Sequence, residues 1–129
     1  MNEHDMRLRT KQFALRVVRL VNAMPASVAG RQIGRQLFDC GTSVGANYRA
    51  ACRARSKAEF IAKLGIVEEE ADESAYWMEV IVEGGILKPS LVEPLRREAN
   101  ELLAMVIASR KTAMQNVKSA NAERSKIKN

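Results

Sequence analysis

Arginines recur through the second quarter of the chain at intervals that matter for chemistry. Arg31 and Arg49 are 18 residues apart, as are Arg35 and Arg53. On a helix that is five full turns, so each pair points the same way. The four line one long flank, interrupted by Asp39, and Arg55 and Lys57 carry the positive charge into the corner that follows. A strip of cations with little aromatic content can neutralise phosphates, and such contact is strongly salt-dependent and weakly sequence-specific. The same arginines can instead face water or pair with carboxylates, and the carboxylates are at hand. Residues 1–63 hold 12 Lys/Arg against 4 Asp/Glu, residues 64–109 hold 3 against 10, and residues 110–129 hold 6 against 1. Basic and acidic helices can pair within one chain or between copies.

Other chemistries lack their parts. His4 is the only histidine, which removes histidine-based triads and most zinc sites. Glu69, Asp72 and Glu73 supply carboxylates on one helix, but no histidine accompanies them as a di-iron bundle requires. The run Glu68-Glu69-Glu70 reads more simply as a solvated face. No glycine-rich phosphate loop follows a strand. Cys40 and Cys52 lie among small and apolar residues and read as small core side chains. Twelve residues apart on one helix, they sit about 18 Å from each other, too far to bridge. The sequence predicts no enzyme, no metal site and no cofactor. Unpaired cysteines and the lack of a signal peptide predict a cytoplasmic protein. No apolar run approaches the roughly 18 residues that would span a bilayer.

Four amphipathic segments must position these residues. The 129 residues suit one domain, and 47% of them are hydrophobic, enough for a core. Residues 1–6 are short and polar and predict a frayed terminus. The first helix spans about Arg7–Met24, with Phe13, Val17, Leu20 and Met24 on one stripe, and Pro25 ends it. Ser27 caps the second, which runs to about Ala54 with Ile33, Leu37, Cys40, Val44 and Ala51 as its seam. Gly34, Gly41 and Gly45 thin that helix and predict a neighbouring backbone close by. Asn47 lies on or beside the seam, where a buried amide can fix register.

Ser56-Lys57-Ala58-Glu59 is a capping box that starts the third helix. Phe60, Leu64, Val67, Ala71, Ser74, Met78 and Ile81 follow a four-three spacing over three heptads, and Gly84-Gly85 stops it. Ile61, Ile66, Tyr76, Trp77, Val80 and Val82 exceed what one seam needs. They predict a second buried face, with Tyr76, Trp77 and Val80 as subunit-interface residues or as packing within the chain. The fourth helix starts at Ser90 or Glu93 and carries Leu95, Ala99, Leu102, Val106 and Ser109. Residues 116–129 are polar and basic and predict a flexible tail. The expectation is an all-α, up-down-up-down four-helix bundle over residues 7–115.

Three stretches resemble a known family: Ser43-Val44-Gly45-Ala46-Asn47, the basic corner Arg53-Ala54-Arg55-Ser56-Lys57, and Glu59-Phe60-Ile61-Ala62-Lys63-Leu64. With the acidic run through Asp72-Glu73 and the Gly84-Gly85 stop, the chain resembles the bacterial four-helix bundle proteins encoded in 23S rRNA intervening sequences, also called the S23 ribosomal protein family. The resemblance covers roughly Phe13–Ala113. It implies a left-handed bundle assembling as a ring-shaped homopentamer, and a molecular function not settled for the family, for which nucleic-acid binding has been proposed on charge grounds. The chain departs from the commoner members where Tyr48-Arg49-Ala50-Ala51 follows Asn47 and where the acidic run replaces a Gly-Ser pair.

Two functions follow as expectations. The first is a non-catalytic homo-oligomer that binds RNA or DNA through Arg31, Arg35, Arg49, Arg53, Arg55 and Lys57, helped by the basic tail. The second is a protein-interaction scaffold whose basic helix meets the acidic helix of the next subunit.

Overall fold

The structure is a computed structural model and describes residues 1–128. It contains four helices: α1, Glu3–Asn22; α2, Val28–Cys52; α3, Lys57–Glu83; and α4, Pro89–Lys128. Among the described residues there is no strand. Each helix packs on the next, and α1 also packs on α4. Neither diagonal pair, α1 with α3 or α2 with α4, comes into backbone contact.

The core lies where the four seams meet. Phe13 and Val17 of α1, Leu37 and Val44 of α2, Leu64, Val67, Met78 and Ile81 of α3, and Leu102 and Val106 of α4 are all essentially inaccessible. These come from the stripes that the spacing predicts, and burying such side chains drives the packing. Met24, Ile33 and Phe60, expected on the seams, sit at the edges and are half-buried, while Ser109 is exposed.

The helix ends have local causes. Ser27 Oγ accepts from Gly30 N–H at 3.0 Å, and Ser56 Oγ accepts from Glu59 N–H at 3.1 Å. The reciprocal arm of the Ser56–Glu59 box falls one residue early: Arg55 N–H donates to Glu59 Oε2 at 3.4 Å. At the end of α3, Ile86 N–H reaches Ile81 O at 2.9 Å and Gly85 N–H reaches Val82 O at 3.1 Å, with Gly85 at φ 66°. That is a Schellman stop, and the positive φ explains the glycine.

Three expectations need correction. The first six residues are not all frayed. Asn2 Oδ1 accepts from Asp5 N–H at 2.9 Å, the Asp5 carboxylate accepts from Asn2 N–H at 3.4 Å, and Met6 is buried. This capping box starts α1 four residues before the predicted Arg7. Residues 116–128, expected as a flexible tail, are helical, because α4 continues through them. They hold neither Pro nor Gly, so no strong breaker stops the helix, and their Lys, Ala, Arg and Glu residues support it even where no core is buried. Asn129 lies outside the described residues. The helix also starts at Pro89, ahead of Ser90 and Glu93, with Pro94 inside it.

Glycines set the distance between α1 and α2. A Cβ on Gly41 would lie 2.7 Å from Val17 Cγ2, and one on Gly45 would lie 3.1 Å from the Thr10 carbonyl oxygen. The close backbone approach expected of the glycines is therefore found at Gly45, whereas Gly41 makes room for the Val17 side chain. Gly34 differs: a Cβ there meets only side chains at 3.6 Å or more. Asn47 does not tie helices together, since its amide donates to Ser43 O of its own helix at 2.9 Å.

Candidate nucleic-acid interface

Arg31, Arg35, Arg49, Arg53, Arg55 and Lys57 are all exposed. None of their side chains makes an ion pair or hydrogen bond among the described residues. From Arg31 to Arg53 the flank runs about 33 Å along α2, so it forms a strip of separate stations rather than one convergent site. Arg31 and Arg35 border a hollow of about 420 Å³ with Val21, Met24, Pro25 and Phe38. Arg55 and Lys57 border another of about 310 Å³ at the α2–α3 corner, beside Glu3, Cys52 and Phe60.

Arg49 lines a groove of about 490 Å³ between α1 and α2. The α1 side supplies His4, Arg7, Leu8, Lys11 and Ala14, and the α2 side supplies Thr42, Gly45, Ala46 and Arg49. No carboxylate lines it. The close α1–α2 approach at Gly45 and Thr10 keeps the floor shallow and its surface small and apolar. Sequence reasoning on α2 alone missed His4, Arg7 and Lys11. The available signal was the spacing of His4, Arg7 and Lys11, three and four residues apart on one helical face.

The acidic helix uses its charges elsewhere. Glu68 meets Arg110 at 3.4 Å and Glu79 meets Arg96 at 3.3 Å, both on α4, and Arg96 also meets Glu93 at 2.9 Å. Arg9 of α1 binds Glu98 and Glu101 of α4, each at 2.6 Å. Glu69, Asp72 and Glu73 are exposed and make no ion pair among the described residues. Half-buried Glu70 is raised above the usual carboxylate range by desolvation and by Glu73, Glu69 and Asp39. The carboxylates of α3 thus do not neutralise the arginines of α2 within the chain.

The aromatic residues are divided. Tyr76 is 55% exposed, and its ring meets Trp77 edge-on at 5.1 Å between centroids. Trp77 is half-buried against the chain's own core, and Val80, three residues on, is half-buried too. Tyr76 is thus the one of the three turned outward.

Reactive groups are muted. Burial pushes the Cys40 thiol up to about 11, and Ser74 Oγ lies 3.4 Å from its sulfur. Burial and Glu3 push the Cys52 thiol up as well. Among the described residues both cysteines are free, and no three His, Cys, Asp or Glu side chains converge as metal ligands would. No described helix is long and apolar enough to cross a membrane.

Four packed amphipathic helices with a cation-lined groove define an all-α, bundle-like protein. The family description 23S rRNA-intervening sequence protein matches residues 2–108. A solved structure from Bacteroides thetaiotaomicron VPI-5482, a protein of unknown function from the S23 ribosomal protein family, superposes with a TM-score of 0.76 at 30% identity. That likeness covers 86% of this chain and 99% of the other. No curated protein matches. The chain belongs to the 23S rRNA-intervening sequence protein family.

Proposed function

We propose that the chain is a non-catalytic, oligomeric four-helix bundle protein that binds RNA or DNA phosphates without strong sequence specificity. The up-down-up-down, left-handed arrangement and the ring-shaped assembly belong to the same proposal. One observation carries it. The α2 cations and the α1–α2 groove present Arg7, Lys11, Arg31, Arg35, Arg49, Arg53, Arg55 and Lys57, and none of these is in an ion pair among the described residues. Unpaired cations at the rim of a groove suit a polyanion, whose binding releases condensed counterions. Few aromatic side chains are exposed, so base stacking adds little and sequence preference is weak.

A second reading has its own support. Glu69, Asp72 and Glu73 are exposed and likewise make no ion pair among the described residues. The acidic face of one subunit could therefore meet the basic flank of the next, making the protein an interaction scaffold with Tyr76, Trp77 and Val80 at the contact. Charge reversal at Arg49 and Arg53, read for oligomeric state and nucleic-acid binding on one sample, separates the two. Loss of nucleic acid with the oligomer intact supports the first reading. Dissociation of the oligomer supports the second.

A further inference from the structure

The family match ends at residue 108, whereas α4 runs on to Lys128. The α4 core ends at Val106. Phe60, one turn into α3, shares a hollow with Ser109, Thr112, Ala113 and Asn116. Beyond Asn116 the helix has passed the start of α3 and extends about 18 Å further. From Lys111 to Ile127, no side chain makes an ion pair or a side-chain hydrogen bond among the described residues.

We propose that α4 beyond Ser109 is a cationic arm that lies along the backbone of a nucleic-acid duplex. The inference rests on the reading of this protein as a phosphate binder and names a partner structure that the reading leaves open. Residues 110–129 carry six Lys/Arg and one Asp/Glu. Lys111, Lys118 and Lys126 are seven and eight residues apart, two turns each, so they line one face over about 22 Å. All three are exposed. A helix holds these cations at fixed intervals, so they need not be ordered on binding as those of a disordered tail would be.

The choice of a duplex follows from what the arm lacks. Residues 110–129 contain no Phe, Trp or Tyr. Single strands are held largely by stacking on such rings. A ring-free cationic helix reads charge alone, and duplex nucleic acid has the higher charge density. The opposite side of the arm, with Ala113, Val117 and Ala120 half-buried along a four-three stripe, leaves the lysine face outward.

The test uses the full chain carrying K111E, K118E and K126E together, with labelled RNA and DNA duplexes and their separate strands as probes. Circular dichroism checks that the helix persists, and a second variant with glutamine at the same three positions removes charge without reversing it. Wild type is expected to bind a duplex more tightly than its strands. The triple glutamate variant is expected to lose at least about tenfold in duplex affinity, with its log–log salt slope shallower by roughly 2–3. Duplex binding unchanged in both variants, or a preference for single strands, overturns the arm. If R49E/R53E weakens binding while the arm variants do not, the arm fails and the phosphate reading stands. If wild type binds no probe at low salt, both fail.

Discussion

Arg9 of α1 grips Glu98 of α4 with two hydrogen bonds, Nε to Oε2 at 2.8 Å and Nη2 to Oε1 at 2.6 Å. The α1–α4 pair is the least extensive of the helix contacts, so this ion pair closes the bundle where apolar packing is thinnest. Glu98 is mostly buried, and the guanidinium holds its carboxyl below the ordinary value of 4.5. Removing one partner strands a charge. Arg9→Ala is expected to destabilise the fold by about 1–3 kcal/mol at neutral pH, measured by urea denaturation. A depressed carboxylate contributes stability above its unfolded value and loses it as pH falls through the folded one. The difference between wild type and Glu98→Gln should therefore shrink below about pH 4.5.

Two glycines on one helix should answer alanine with opposite signs. Gly41→Ala places a methyl 2.7–2.8 Å from both γ-carbons of buried, β-branched Val17, which has no room to turn. A loss of about 1–3 kcal/mol is expected from overpacking. Gly34→Ala meets nothing closer than 3.6 Å and should gain roughly 0.5–1 kcal/mol from helix propensity. Thermal melts of the two variants give the comparison directly.

Glu70 carries an unfavourable charge, crowded by Glu73, Glu69 and Asp39. Its raised folded value means that ionisation costs stability as pH climbs through it. Glu70→Gln should be more stable than wild type at pH 7, and the gain should disappear in acid. A variant less stable than wild type at pH 7 would show that the carboxylate is held by a favourable contact instead.

Both cysteines should react slowly while the chain is folded. With Cys40 buried and its thiol near 11, little thiolate forms at pH 8. Ellman's reagent should modify Cys40 only on unfolding, and Cys52, half-exposed at the corner, first. Rapid native modification of Cys40 would mean that the α2–α3 seam opens readily.

Much of the fold was legible because burial imposes a period. Phe13, Val17, Leu37, Leu64 and Met78 sit in the core as their spacing requires. Ser27 and Ser56 cap helices as their positions require. What went unread has two physical causes. The Asn2–Asp5 capping box is a local signal overshadowed by the polarity around it, and polarity marks exposure rather than lack of helix. The same confusion hid the helix through Val117 and Ala120. The groove needed tertiary knowledge, since Arg49 meets His4, Arg7 and Lys11 only once Gly41 and Gly45 bring α1 against α2. That the α2 arginines pair with no carboxylate among the described residues depends on which face α3 turns to α4, and one sequence does not contain that choice.

We propose that unpaired cations on α1 and α2 hold nucleic-acid phosphates. Fluorescence anisotropy of labelled RNA and DNA against the purified protein, titrated across salt, tests it most directly. Engagement of about four to six phosphates predicts a log–log slope of roughly −3 to −5, lost in Arg49→Glu with Arg53→Glu. No binding at about 50 mM salt, or binding that the double reversal leaves untouched, would contradict the claim and turn the basic flank over to contacts with protein.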